Sequence, residues 1–142
     1  MKNIIILSFV IALTGCSNQT PNTDSIAKAL TAYVSAADDQ NTEILQEILH
    51  PEYRALANRI FESDKLQVLS KELYLSLIND GTIGGDKRKI EIIETEVIGH
   101  NAFVRATLTG HDHIFNTFIL LAQSANGDWK IVSDMPQMEK LY

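Results

Sequence analysis

Cysteine is nearly absent from this chain of 142 residues, which contains only Cys16. One thiol cannot form a disulfide within the chain or supply the four thiolates of a structural zinc site. Basic residues are also scarce, since 12 lysines and arginines stand against 18 acidic residues and the formal net charge is −6. That balance argues against a protein that binds nucleic acid through its phosphates. The composition therefore favours an acidic globular domain of about the usual size.

Long hydrophobic runs are missing except at the start of the chain. Lys2 is followed by an apolar run over residues 4–13, and then by Thr14, Gly15 and Cys16. A ten-residue helix spans only about 15 Å, whereas the hydrocarbon of a bilayer is roughly 30 Å thick. The run is thus too short for a stable transmembrane anchor, and the positive residue before it is typical of a secretory signal.

The tetrapeptide Leu-Thr-Gly-Cys at residues 13–16 resembles the lipobox of bacterial lipoproteins. The resemblance implies a signal peptide over residues 1–15 that is removed, and acyl chains such as palmitate on Cys16. Several such chains give lasting membrane attachment where one is marginal. The polar residues 16–25 then form a tether, and Ser17 implies an outer-membrane location facing the periplasm in a two-membrane bacterium. The alternative is an ordinary secretory signal with an incidental cysteine.

Hydrophobic periodicity divides the rest of the chain into helices and then strands. Apolar residues recur with helical spacing over residues 26–37 and 42–49, and Ser70 is placed as the N-cap of a third helix over residues 71–79. Short or alternating apolar runs predict strands at residues 53–56, 66–69, 90–98, 102–109, 113–122 and 129–135. This order predicts an α+β domain with helices packed on one face of a curved antiparallel sheet.

Four segments carry a family resemblance: the first helix with its acidic end, and residues 49–53, 97–106 and 127–132. They are similar to the cone-shaped fold of nuclear transport factor 2 and its relatives (NTF2-like, including SnoaL-like, proteins), and within it to the branch named "putative lumazine-binding". The resemblance implies one such domain over residues 26–138, in which three N-terminal helices pack on a curved antiparallel sheet. Relatives include isomerases, dehydratases, binding domains and dimerisation modules, so function has to be argued from the site.

Enzymes of the resembled fold generally use an Asp, His or Tyr that projects into the cone. This implies Asp134, His50 and Tyr53 as candidate catalytic residues. Strict strand alternation predicts that Asp134 shares a face with Lys130 and Val132, and its alternative role is a surface charge paired with a lysine. His50 has the residue type of a general base, although a His-Pro pair also ends a helix.

Candidate ligand-binding residues are Arg105, Tyr33 and Tyr74. Arg105 is suited to an anionic ligand, and its alternative is a salt bridge to a neighbouring strand. The two tyrosines are suited to lining an apolar pocket, although packing in the core also explains them.

His111 and His113 are predicted to share a strand face, which offers two metal ligands. A catalytic zinc needs about three, and no third ligand is placed by the sequence. We therefore predict no metal site and no cofactor.

The sequence as a whole favours a lipid-anchored domain of the cell envelope that binds a small apolar or aromatic molecule. Two alternatives remain open at this point. One is an acid/base isomerase or dehydratase, and the other is a protein-interaction module that forms a homodimer through the outer face of its sheet.

Overall fold

The computed structural model describes residues 23–60 and 62–142. The predicted signal peptide, Cys16 and most of the predicted tether lie outside these residues. Among the helices described, none combines the length and the apolar character needed to cross a membrane.

The described residues contain three helices, which lie on one side of the sheet. They are α1 (Thr23–Asp38), α2 (Thr42–Ile48) and α3 (Lys71–Asn79). Asn41 caps α2 and Ser70 caps α3, because each side chain accepts a hydrogen bond from the backbone amide three residues later. The third helix has the bounds and the cap that the sequence predicts.

Helix α3 buries one charged residue together with its apolar side. Lys71, Tyr74 and Ile78 are buried, whereas Leu73 is 45% exposed. The ammonium of Lys71 donates a hydrogen bond of 2.8 Å to the carbonyl oxygen of Leu49, which allows this charge to lie inside. Burial nevertheless lowers the pKa of Lys71.

Six strands form one sheet in the order β2-β1-β6-β5-β4-β3. Their bounds are β1 (Leu49–Asn58), β2 (Leu66–Ser70), β3 (Lys89–Ile98), β4 (Asn101–Thr109), β5 (His113–Gln123) and β6 (Trp129–Lys140). The expected wholly antiparallel sheet is wrong at one place, because β1 and β6 pair in parallel. The long connection between them, which includes α3 and the strands β2 to β5, allows the crossover that a parallel pair requires. Hydrophobic alternation carries no information on strand direction.

The sheet has an inner face that packs against the helices and an outer face that points away from them. Alternate residues of β4 show the two faces clearly, since Val104 and Ala106 are buried while Arg105 between them is exposed. The core of the domain lies between the inner face and α1, where Leu30 and Val34 are fully buried.

A β-bulge in β6 changes the side chains that its last part presents to the inner face. Ile131 and Ser133 pair with two adjacent residues of β5, so Val132 has no partner of its own. Such an extra residue reverses the alternation beyond it. Asp134 therefore shares the inner face with Ile131, whereas strict alternation predicted the face of Val132. That part of the prediction is wrong.

Candidate functional site

A cavity of about 120 Å³ lies between the helices and the inner face of the sheet. Its apolar lining includes Ala37, Ala57, Ile78, Leu108, Phe115 and Pro136. Its polar lining consists of Tyr33, Tyr74, Arg88 and Asp134. An engineered apolar cavity of about 150 Å³ binds benzene, so the space here suits about one ring.

Two hydroxyl groups hold the carboxylate of Asp134. Tyr33 donates a hydrogen bond of 2.8 Å from Oη to Oδ2, and Thr117 donates from Oγ1 to Oδ1. Oη of Tyr33 also lies 3.0 Å from Oη of Tyr53. A hydroxyl has only one hydrogen, and Tyr33 uses it for the carboxylate, so Tyr53 is the donor to Tyr33. A chain of hydrogen bonds thus runs from Tyr53 through Tyr33 to Asp134.

The protein packed around Asp134 raises the pKa of its carboxyl group. The hydrogen bonds from Thr117 and Tyr33 and the positive charge of Arg88 act in the opposite direction, but burial outweighs them. The carboxyl group of Asp134 is therefore nearer to proton exchange at neutral pH than an ordinary aspartate is.

Three tyrosines from three different elements meet beside this carboxylate. The ring of Tyr53 lies edge-on to that of Tyr74, with 5.2 Å between their centres, and Tyr33 contacts both. Burial raises the pKa of Tyr33 and of Tyr53 well above the ordinary value, and it raises the pKa of Tyr74 to about 12. All three hydroxyl groups therefore remain neutral hydrogen-bond donors at physiological pH.

Arg88 reaches the cavity from the end of the loop that joins α3 to β3. Asp38, at the end of α1, accepts hydrogen bonds from Nε of Arg88 at 2.6 Å and from its backbone amide at 2.9 Å. The guanidinium carbon also lies 5.7 Å from the centre of the Phe115 ring. The cavity thus has one carboxylate and one guanidinium in an otherwise mostly apolar wall.

Residues 21–135 match a sequence model of the family described as "putative lumazine-binding". The chain belongs to this family. Cys16 and the apolar run before it precede the matched residues. Curated protein sequences gave no match.

Several solved structures share the fold of this chain. A nuclear transport factor 2-like protein of unknown function from Silicibacter pomeroyi aligns with a TM-score of 0.70 at 16% identity, over 82% of this chain and 94% of that one. One from Shewanella baltica gives the same TM-score and identity, over 82% and 92%. A ketosteroid isomerase-like protein from Erwinia carotovora aligns with a TM-score of 0.66 at 16% identity, over 87% and 99%. The predicted nuclear transport factor 2-like α+β fold, with three helices and a curved sheet, is confirmed.

The structure brings some of the predicted site residues of this family member together. Tyr33, Tyr74 and Asp134 all line the cavity. Tyr53 lies directly behind them, where it contacts both other tyrosines without lining the cavity.

Two other predicted site residues lie elsewhere. His50 is at the start of β1, where its Nδ1 accepts a hydrogen bond of 3.1 Å from the backbone amide of Glu52. Arg105 does not line the cavity. It points to the outer face and forms the alternative that the sequence offers, a salt bridge to the neighbouring strand, with Glu94 at 3.3 Å. Its neighbours in β4 take the inner positions, which sends Arg105 to the opposite side.

His111 and His113 lie at the turn between β4 and β5. The side chain of His111 is 87% exposed, and its backbone amide donates to the carboxylate of Asp86. Over residues 23–60 and 62–142, no three histidine, cysteine or acidic side chains are placed to hold a metal ion.

Arg88 and Thr117 also belong to the site, and neither is predicted from the sequence. Arg88 stands between two lysines, and a run of three basic residues is typical of an exposed loop. Thr117 follows the alternation of β5 as any strand residue does. The one feature that marks Thr117 as a candidate is that a small polar residue occupies an inner position of β5, where its neighbours on the same face are apolar.

Proposed function

We propose that this protein binds a small, mostly apolar molecule of about one ring in the cavity between its helices and its sheet. The observation that carries the proposal is the cavity of about 120 Å³ with the carboxyl group of Asp134 in its wall. A binding pocket typically combines an apolar lining with a few polar groups that orient the ligand. The family description points to a small-molecule ligand as well.

The size of the cavity narrows the range of ligands. Pockets for drug-sized molecules have volumes of about 300–1,000 Å³. The cavity of this protein, at about 120 Å³, is well below that range. We therefore expect single-ring compounds to bind, and we expect steroid-like compounds and flavins not to bind without a widening of the cavity.

A thermal-shift titration with phenol and toluene tests this proposal. We expect both compounds to raise the melting temperature of the protein, because a ligand that binds only the folded state stabilises it. The substitution Ala57→Leu adds three carbons to the lining of the cavity and should abolish the shift, whereas Ala125→Leu in an exposed turn should leave it unchanged. A phenol shift of the same size in Ala57→Leu would place the binding outside the cavity.

A second candidate function is acid/base catalysis by Asp134. The raised pKa of a carboxyl group held by Tyr33 and Thr117 favours it, because such a group can take up and return a proton. This function predicts exchange of the α-hydrogens of cyclohexanone for deuterium in D₂O, followed by NMR. The exchange should be lost in Asp134→Asn and kept in His50→Gln, since His50 lies away from the cavity. Equal exchange with and without the protein would remove this candidate.

We also propose that Cys16 carries lipid, which holds the domain at the cell envelope. This proposal is supported by the apolar run over residues 4–13 and by Gly15 directly before the cysteine. Growth of the expressing bacteria with an alkyne-bearing palmitate should label the wild-type protein and not the variant Cys16→Ser. Labelling that persists in Cys16→Ser would contradict lipid attachment at this residue.

The interaction alternative is a homodimer formed through the outer face. Phe118 and Leu120 on this face are about half exposed, and the ring of Phe118 stacks on that of Phe103. A two-fold interface places one patch against its own copy, so charges of both signs at its border can pair across the interface. The pair of Arg105 with Glu94 supplies them on one side of the patch, and the pair of Arg54 with Glu52 supplies them on the other.

Sedimentation equilibrium tests the dimer. We expect Phe118→Asp to give a monomer, and Leu73→Asp, at an exposed apolar residue of α3 on the other side of the sheet, to remain a dimer. A wild-type protein that is monomeric at all concentrations would rule the dimer out.

A further inference from the structure

Of the described residues that line the cavity, Arg88 alone carries a positive charge. Its side chain is 17% exposed, and that of its partner Asp38 is 5% exposed. Removing an ion pair from water costs free energy, so a buried pair is weak evidence of a contribution to stability. Its position at the wall of an apolar cavity suits it to a role in binding.

The contacts of Arg88 orient its guanidinium and leave one edge unused. Nε is bound to Asp38, and one face of the group lies over the ring of Phe115. A guanidinium has five N–H donors, four of them on Nη1 and Nη2. Within the part of the chain that the structure describes, neither Nη1 nor Nη2 has a hydrogen-bond partner. Arg88 thus borders the cavity as an oriented donor with free N–H groups.

The charges around the cavity indicate which ligand suits this donor. Asp134 is in the same lining, and its two oxygens keep lone pairs besides those that accept from Tyr33 and Thr117. With their carboxylates ionised, Asp38 and Asp134 outweigh the charge of Arg88 by one negative unit. An anionic ligand would add a second uncompensated negative charge in a poorly solvated site. The balance therefore favours a neutral ligand.

On the basis of the proposed binding function, we propose that the cavity selects a neutral ring compound with both a hydrogen-bond acceptor and a donor. The acceptor, such as an amide carbonyl, takes hydrogen bonds from Nη1 or Nη2 of Arg88. The donor, such as an amide N–H, gives a hydrogen bond to Asp134. Aromatic and cyclic amides have this chemistry. Arg88 is then a specificity-determining residue of the site.

Three probes of similar shape test the selection in the purified protein. Benzamide carries the acceptor and the donor, benzoate has the same shape with a negative charge, and toluene has neither polar group. Affinities are measured by titration with two-dimensional ¹⁵N–¹H NMR. We expect benzamide to bind about tenfold more tightly than toluene, the ratio that one good hydrogen bond to a charged donor provides. Benzoate should bind more weakly than benzamide.

Variants of Arg88 then assign the preference to this residue. In Arg88→Met, which keeps the length of the side chain and removes its donors, the ratio of benzamide to toluene affinity should fall to near one. Arg88→Lys keeps the charge beside Asp38 and loses the planar donor edge, so it should lower the same ratio and serves if the methionine variant does not fold. The matched control Arg105→Met, on the outer face, should keep the wild-type ratio.

The possible outcomes separate this inference from the proposed function. If none of the three probes shifts the signals of cavity residues, the proposed binding function fails and this inference fails with it. If toluene binds and benzamide has no advantage, or if Arg88→Met keeps that advantage, the cavity binds ligands but Arg88 does not select them. If benzoate binds most tightly, the site is an anion site, and the neutral class is overturned.

Discussion

Replacing Tyr33 by phenylalanine removes one oxygen atom and keeps the ring that packs in the core. That oxygen donates to Asp134 and accepts from Tyr53, so the substitution breaks two hydrogen bonds. A hydrogen bond to a charged group contributes about 1.5–3 kcal/mol, and one between neutral groups about 0.5–1.5 kcal/mol. We expect Tyr33→Phe to lower the free energy of unfolding by about 2–4 kcal/mol at pH 8.

Urea unfolding followed by the fluorescence of Trp129, the single tryptophan, measures this loss. The substitution Tyr53→Phe removes only the neutral bond and should cost about 1 kcal/mol. Tyr142→Phe makes the same chemical change at a fully exposed residue and should change the free energy by less than about 0.5 kcal/mol. If Tyr33→Phe costs no more than Tyr53→Phe, Tyr33 does not donate to the carboxylate, and the chain of hydrogen bonds is wrong.

A double-mutant cycle isolates the bond to Asp134. In a background of Asp134→Asn the charge is gone, so Tyr33→Phe should cost less than it does in the wild type. Residues in direct contact typically show coupling energies of about 0.5–3 kcal/mol, and we expect a value above about 1 kcal/mol here. Additive effects would mean that the two side chains do not interact.

Further predictions concern pH, a glycine and a buried lysine. The pKa of Asp134 is higher in the folded than in the unfolded protein, so protonation of its carboxyl group favours the folded state. This stabilisation is complete below the pKa of the unfolded chain, near 3.9, and is lost as the pH rises through the pKa of the folded protein. Relative to the wild type, Asp134→Asn should therefore gain stability between pH 4 and pH 8, and urea midpoints that run parallel over this range would contradict the raised pKa. Gly84→Ala places a Cβ in steric conflict with the carbonyl oxygen of Ala37 and should cost well over 1 kcal/mol more than Gly99→Ala, which has a positive φ as well but open space around it. Equal losses in thermal unfolding would show that the loop does not approach α1 so closely. Lys71→Met leaves two carbonyl oxygens without their donor and should cost about 1–3 kcal/mol by urea unfolding, and an unchanged urea midpoint would show that these carbonyl groups do not depend on the ammonium.

The elements that the sequence predicts well are those with a local physical cause. Ser70 caps α3 because its side chain reaches an amide three residues away, and that contact depends on neighbouring residues alone. The strands β4 and β5 follow from alternation, because every second residue is buried on the inner face. Both signals can be found without knowledge of the fold.

The parallel pairing of β1 with β6 depends on contacts between distant residues and has no such local signal. Residues 49–55 and 131–134 meet across most of the length of the chain. The C-terminal end of β6 was also missed, since the strand runs to Lys140 instead of residue 135. Its last five residues are mostly polar, and they stay extended because β5 supplies hydrogen-bonding partners for them.

The two charged groups of the candidate site, Asp134 and Arg88, reach the cavity through irregular parts of the fold. Asp134 faces inward because Val132 interrupts the alternation of β6, and Arg88 faces inward because the loop before β3 packs against the end of α1. In regular structure most inner positions are occupied by apolar side chains, which pack without a desolvation cost. Each of these two charged groups is aimed inward by a local deviation and is compensated by a partner, which is Asp38 for Arg88 and Tyr33 for Asp134. Since functional sites are where local rules are most often broken, the two deviations independently support the proposed site at this cavity.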